Sequence, residues 1–177
     1  DAVRLFILSD SPPEKDVQWS NQGIEASYKF LQRLWILHQK IINKLKLNSE
    51  INENQNLDKF TNLFIKKITN NLESFSYNVI IANFYEMYAF LSKEIEKKLN
   101  NQTLKENYFK ILICVSPVIP HFAAECLKDI NKNNQIKWPS YNNKILEEES
   151  INFVIQINGK KRGLLNVKKD VTENQIL

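Results

Sequence analysis

Apolar residues recur at spacings of three and four over most of the first 130 positions and at a spacing of two after position 151. The first period belongs to helices and the second to strands. Residues 1–8 read as a helix that Ser9, Asp10, Ser11, Pro12 and Pro13 break, since proline lacks a donor and restrains its predecessor. Ser20 or Asn21 can cap the next helix. Its apolar positions, Ile24, Tyr28, Leu31, Trp35, His38, Ile42 and Leu45, alternate spacings of four and three. With Phe30, Leu34, Leu37 and Ile41 beside them, they predict a long helix with that stripe against the core. A polar connector over 47–56 leads to a third helix over 57–72 with Phe60, Leu63, Phe64, Ile68 and Leu72 on one side. A fourth, over 78–99, presents Ile80, Phe84, Met87, Tyr88, Leu91, Ile95 and Leu99. A fifth runs over 103–115 through Leu104, Tyr108, Ile111 and Leu112, and Ser116-Pro117 ends it. Pro120 suits the first turn of a sixth, where a missing N–H costs little, with Phe122, Ala123, Cys126 and Leu127 facing inward.

Residues 152–157 alternate, with Phe153, Ile155 and Ile157 on one side and Val154 and Gln156 on the other. Asn158-Gly159 is a hairpin turn signal, and residues 164–168 form the return strand. Thr172 with Gln175 resembles a capping box for one more helix. A two-stranded hairpin alone is marginal in water. The expected fold is therefore mainly α: an antiparallel helical bundle, then a β-hairpin that begins a truncated α/β C-terminal domain. The expected boundaries are a connector over 1–20, the bundle over 21–139, a linker over 140–150 that contains Glu147, Glu148 and Glu149, and the C-terminal piece over 151–177.

Composition narrows the function classes. The chain has 177 residues, 43% hydrophobic, with only three glycines, at 23, 159 and 163. That is enough for a core and too few turn-formers for an all-β barrel. Three scattered glycines cannot build a phosphate-cradling loop. The uncharged run 111–124 is shorter than the ~20 residues of a membrane span and holds two prolines. Cys114 and Cys126 read as reduced, buried thiols of a cytoplasmic protein, and two histidines without a C-x-x-C give no metal site. His38 is expected to pack within the core and His121 to serve the start of its helix. No catalytic constellation emerges.

Charge is more informative. Of 24 basic and 20 acidic residues, 5 and 2 lie in 151–177, which leaves the first 150 nearly neutral. Lys29, Arg33, Lys40 and Lys44 follow one another at spacings of four, seven and four along the helix face expected to lie opposite the core. Such a stripe is either an ordinary solvated face or a helix laid along a phosphate backbone, with Arg33 able to make a forked contact. Lys160, Lys161 and Arg162 sit together at the hairpin tip between Gly159 and Gly163, again either a solvated turn or a polyanion contact.

Several segments resemble bacterial leucyl-tRNA synthetases of class I. Residues 1–20, with Ser11-Pro12-Pro13-Glu14-Lys15-Asp16, resemble the stretch following the second ATP motif of their catalytic domain. Gly23-Ile24-Glu25-Ala26 and Phe30-Leu31-Gln32-Arg33-Leu34-Trp35 are similar to the first long helix of their anticodon-binding-type bundle. Residues 74–78 and 116–122 resemble later bundle signatures, and Trp138-Pro139 followed by residues 153–162 resembles the entry to their C-terminal domain. The resemblance implies the tRNA-binding part of an ATP-dependent leucine–tRNA ligase. Its catalytic domain, with ATP and Mg, would lie upstream, so no catalytic residue or cofactor is carried over. It implies tRNA contact through backbone and shape at the basic positions, above all Lys29 and Arg33. The expected partners are leucine tRNA and the parent's own catalytic domain, in a monomer of the cytoplasm with no membrane role. The rivals are the equivalent domain of a valyl or isoleucyl enzyme and a helical protein-interaction module. A four-helix-bundle enzyme would need inward Glu-x-x-His pairs, which the sequence lacks.

Overall fold

A computed structural model describes residues 1–10, 14–47, 55–130, 136–146, 150–157 and 160–168. Among them run helices α1 (Ala2–Asp10), α2 (Asn21–Lys46), α3 (Gln55–Glu73), α4 (Tyr77–Glu94), α5 (Asn101–Val115), α6 (Pro120–Ile130) and α7 (Asn143–Leu146), then strands β1 (Ser150–Ile157) and β2 (Lys160–Lys168). The chain divides into two compact units, Asp1–Asn142 and Asn143–Leu177. The mainly helical bundle followed by a hairpin is the architecture that the two periodicities predicted.

The four long helices α2–α5 form the body of the first unit, with α1 and α6 packed against them. Phe60 of α3 stacks on Phe90 of α4 at 3.9 Å, Phe64 lies 6.3 Å from Phe84, and Lys67 pairs with Glu86. Rising numbers on α3 thus meet falling numbers on α4, and the two run antiparallel. Helices α2 and α4 run parallel, since Phe30 meets Tyr85 and Tyr88 while Lys44 reaches the backbone of Ile95. Helix α5 is antiparallel to α2, because His38 meets Tyr108 and Asn101 meets Leu45. Helix α2 therefore packs on α4 and α5, as does α3, which places α2 and α3 on opposite corners. The core between them is aliphatic and aromatic, with Phe30, Ile41, Leu57, Ile80, Phe84 and Leu104 all fully buried. Each such side chain stabilises the fold by about 1.5–3 kcal/mol through burial.

Caps fix the ends of these helices. The Ser20 hydroxyl accepts from the N–H of Gly23 at the start of α2, and the Asn100 side chain accepts from the N–H groups of Gln102 and Thr103 on α5. Helix α6 is capped from far away. Both oxygens of the Asp1 carboxylate accept from its first turn, from the N–H of Phe122 at 2.7 Å and that of His121 at 3.4 Å. Arg4 of α1 donates to the carbonyls of Val118 and Pro117 just before α6. Helix α1 thus joins the two ends of the first unit's sequence.

The structure corrects three sequence expectations. Helix α4 stops at Glu94 rather than near position 99, although Ile95 and Leu99 remain buried. The carbonyls of its C-cap and of the turn beyond it accept from a lysine of α2, described below. The core face of α2 is Ser27, Phe30, Leu34, Leu37, His38 and Ile41, whereas Tyr28 and Trp35 are exposed. At about 100° per residue the buried face is turned by roughly one residue step from the predicted stripe. Large aromatic rings at Tyr28 and Trp35 drew the expectation toward themselves. Short α7 was not expected. The connector residues 48–54, the Pro12-Pro13 break, the 147–149 acidic run, the Asn158-Gly159 turn and the Thr172–Gln175 capping box lie outside the described residues.

In the second unit β1 and β2 pair antiparallel, from Ser150 opposite Lys168 to Ile157 opposite Lys160. Ile155 faces Gly163 while Gln156 faces Lys161, so Arg162 is the extra residue of a β-bulge.

Candidate nucleic-acid interface

Turning α2 relative to the expected stripe changes what its cations face. Arg33, Lys40 and Lys44 flank the core on the α4 side instead of lying opposite it. The Arg33 guanidinium carbon is 5.5 Å from the centroid of the Phe30 ring and 5.6 Å from that of Tyr88. Phe30 itself stacks on Tyr85 at 4.1 Å and meets Tyr88 edge-on at 6.0 Å. Arg33 and Lys40 then line one groove with Ile36 and Leu37 of α2 and Tyr88, Ser92 and Ile95 of α4. Its volume is about 70 Å³, far below the ~300 Å³ of a small-molecule pocket, and it is open to solvent. Among the described residues neither Arg33 nor Lys40 pairs with a carboxylate. An open groove with two unneutralised cations and a hydroxyl suits an extended anionic chain rather than a cofactor.

The other two cations of the stripe are placed differently. Lys29 is exposed and lies 3.8 Å from Glu25 one turn earlier, an exposed pair worth little and easily exchanged for another anion. Lys44 has a structural task. Its ammonium donates to the carbonyls of Ile95, at 2.5 Å, and Lys97, at 2.7 Å. Ile95 is the C-cap of α4 and Lys97 lies in the turn just after it, so the cation also meets the negative end of the helix dipole. The expectation that Lys44 belongs to an open basic stripe is corrected on that ground.

Tyr88 and Ser92 are groove residues that sequence reasoning did not find, because Tyr88 scored only as an apolar position of α4. The exposed Lys93 and Lys98 follow near the same end of α4. Their signal in the sequence is the run Lys93, Lys97, Lys98, which alternates with Glu94 and Glu96 and so hides in a neutral segment. Lys97 is held by Glu94 at 2.7 Å.

On the hairpin Lys160, Lys161 and Arg162 are all exposed. The three follow one another at the start of β2, and the register shift that leaves Arg162 unpaired with β1 falls among them.

Several other polar groups are closed inside the bundle. His38 is fully buried. Its Nδ1 is 3.1 Å from the Tyr108 hydroxyl and its Nε2 3.0 Å from the Asp129 carboxylate. Burial, and then the neighbouring Cys126, hold the Tyr108 hydroxyl well above its ordinary pKa. Burial pushes the Cys114 and Cys126 thiols up to about 12. Groups so reluctant to ionise make poor nucleophiles. The His121 ring meets Asp1 at the α6 cap, 3.1 Å away. Among the described residues no group of three or more His, Cys, Asp or Glu side chains could hold a metal ion, and no helix is long and apolar enough to cross a membrane.

Comparison with known proteins places this geometry. A leucine–tRNA ligase of Fervidobacterium nodosum is 36% identical over 99% of this chain and 23% of its own length. Those of Prochlorococcus marinus strain MIT 9312 and Thermosipho melanesiensis are 37% and 35% identical over 99% of the chain, and 21% and 23% of their own lengths. The chain thus spans less than a quarter of these relatives. A crystal structure of the ternary LeuRS–tRNA–LeuAMS complex of Agrobacterium radiobacter K84 agnB2 superposes with a TM-score of 0.78 and 25% identity, over 99% of this chain and 24% of that one. The family described as the anticodon-binding domain of tRNA ligase matches residues 54–177, the greater part of the sequence. This chain belongs to that family.

Proposed function

We propose that the chain is the tRNA-docking part of a leucine–tRNA ligase, and that the α2–α4 groove holds the sugar-phosphate backbone of leucine tRNA. The observation that carries the reading is the pair Arg33 and Lys40, exposed along one groove with Tyr88 and with no carboxylate among the described residues to neutralise them. The leucine ligases matched over 99% of the chain, and the tRNA complex among the solved structures, support the choice of substrate. Lys29 and the hairpin cations Lys160, Lys161 and Arg162 add further phosphate contacts in this reading. Contacts of this kind fix register and orientation without reading base edges.

Docking serves catalysis by position. Holding the tRNA against the bundle lets its acceptor end meet an activated amino acid in the ligase's catalytic domain. The entropy saved in well-oriented reactions reaches ~7–11 kcal/mol, of which a docking surface supplies part. Chemistry that uses ATP and Mg belongs, in this reading, to parts of the ligase outside this chain. A monomeric enzyme of the cytoplasm, with this unit packed on its own catalytic domain, completes the proposal.

The test is binding of labelled leucine tRNA across a salt series, with valine tRNA and a mixed-sequence duplex RNA as competitors. Saturable binding that prefers leucine tRNA is expected. Arg33→Ala with Lys40→Ala should lower the affinity and reduce the salt slope by about two. An unchanged affinity and slope in that double variant would refute the groove as the contact. Equal competition by valine tRNA would refute the leucine assignment.

A further inference from the structure

The groove has an internal arrangement that goes beyond the presence of two cations. Arg33 is exposed, and an exposed arginine samples many rotamers, each contact then costing side-chain entropy. Here the guanidinium lies within 6 Å of two ring centroids at once, those of Phe30 and Tyr88. Ring faces are negative and attract a cation laid over them. A guanidinium held over rings in this way loses rotamer freedom without using up its N–H donors, and among the described residues no carboxylate takes them, so the fork stays available for two parallel bonds to a phosphate. Phe30 is fully buried and belongs to the core, so it cannot be varied without unfolding effects. Tyr88 is half-buried, meets Phe30 edge-on at 6.0 Å and lines the groove itself.

We infer that Tyr88 is a positioning residue for phosphate capture: its ring holds the Arg33 guanidinium in the orientation that grips the tRNA backbone. The role belongs to the π face and not to the hydroxyl, and it comes from α4, an element that carries no cation in the groove. The inference rests on the docking role proposed above.

A double-mutant cycle on leucine tRNA binding by the full-length ligase separates the two ideas, with thermal melts to verify that each variant folds. Arg33→Ala should weaken binding about tenfold. Tyr88→Leu should weaken it about two- to fivefold, the range of an exposed cation–π contact. Tyr88→Phe should bind as well as the parent, and Tyr88→Leu should add nothing in the Arg33→Ala background. If Arg33→Ala binds normally, the docking groove itself is refuted. If Arg33→Ala is weak but Tyr88→Leu is not, the positioning role alone fails. It also fails if Tyr88→Phe loses as much as Tyr88→Leu, or if Tyr88→Leu costs the same with and without Arg33.

Discussion

The two flanks of α2 carry polar side chains under opposite conditions. On the flank toward α5 and α6, His38 has no exposed surface and both ring nitrogens have partners, the Tyr108 hydroxyl and the Asp129 carboxylate. On the flank toward α4, Arg33 and Lys40 stand at a shallow groove, unmatched by any carboxylate among the described residues. Satisfied polar groups inside a protein specify its packing, since leaving any one of them unpaired is expensive. Polar groups left open keep their bonding capacity for something else. A single helix thus serves as a structural post on one side and as a binding edge on the other. Lys44 shows how close the two roles lie, because it sits one turn beyond Lys40 and has been drawn into capping α4.

The comparison breaks most directly at His38. Replacing it with Ala strands the Asp129 contact, removes one of the two partners of the buried Tyr108 hydroxyl, the other being Cys126, and leaves a cavity. The expected loss is about 2–4 kcal/mol. In a protein of this size that lowers the melting temperature by roughly 5–15 °C. Arg33→Ala should change stability by no more than about 0.5 kcal/mol, as surface substitutions do. Leucine tRNA affinity, measured well below the melting temperature, should show the reverse order. Equal thermal losses for both variants would mean that the α4 flank is structural too.

A second test addresses the start of α2, where the helix is set against α1. A Cβ at Gly23 would stand 2.5 Å and 2.8 Å from carbons of the Phe6 ring, distances that real contacts do not reach. Phe6 is buried and also meets Trp19 at 5.8 Å, so admitting the Cβ requires this ring to shift and to disturb that contact. Gly23→Ala should therefore cost about 1–3 kcal/mol despite alanine's better helix propensity. Adding Phe6→Leu, which frees the ring's space, should recover part of that loss. A neutral Gly23→Ala would show that α1 yields and does not set the position of α2.

Much of this arrangement was legible in the sequence, for a physical reason. Helix periods, the Ser20 cap, the stop at Ser116-Pro117 and the change to a period of two are local, and local preferences decided them. Rotation of α2 was not legible, because Tyr28 and Trp35 are hydrophobic enough to count as core and amphipathic enough to remain at the surface. Arg33 and Lys40 could be picked out by spacing alone, whereas Tyr88 and Ser92 could not. Their role depends on α2 and α4 running side by side in the same direction, a pairing that two non-consecutive helices acquire only in the folded bundle. The same limit hid the task of Lys44 and the capping of α6 by Asp1, whose partners lie more than 50 and 100 residues away.

The closed flank should also show itself in alkali. Burial is the first cause that raises the Cys114 and Cys126 thiols to about 12, against an ordinary value of 9.0. Between those values the unfolded chain has released protons that the folded chain still holds. Folding stability is then unaffected by these thiols below pH 9 and declines as pH rises from 9 toward 12. Denaturant titrations at pH 8, 9.5 and 10.5 on the parent and on a Cys114→Ala, Cys126→Ala variant measure that share. A parent that loses no more stability than the variant between pH 8 and 10.5 would contradict it. Iodoacetamide at pH 8 should leave both thiols intact until the protein is unfolded.

The smallest expected effect concerns a residue that the bundle keeps open at a conformational cost. Phe75 has φ 54°, in the left-handed region, at the end of α3. The N–H of Ser76 donates to the carbonyl of Asn71 and that of Phe75 to the carbonyl of Leu72, which is the Schellman closure that glycine usually completes. A side chain there costs about 1 kcal/mol, and Phe75 recovers little by burial, since it is 62% exposed with its ring edge-on to Tyr77 at 6.1 Å. Phe75→Gly relieves the strain but gives up that ring contact and adds entropy to the unfolded chain. The balance should be a gain of about 0.5 kcal/mol, or one to two degrees in the melting temperature. Phe75→Asn, which tolerates the same backbone region without glycine's freedom, should gain no less. If both variants melt lower than the parent, the Phe75–Tyr77 contact outweighs the strain, and the exposed aromatics at this turn join the closed, structural side of the comparison.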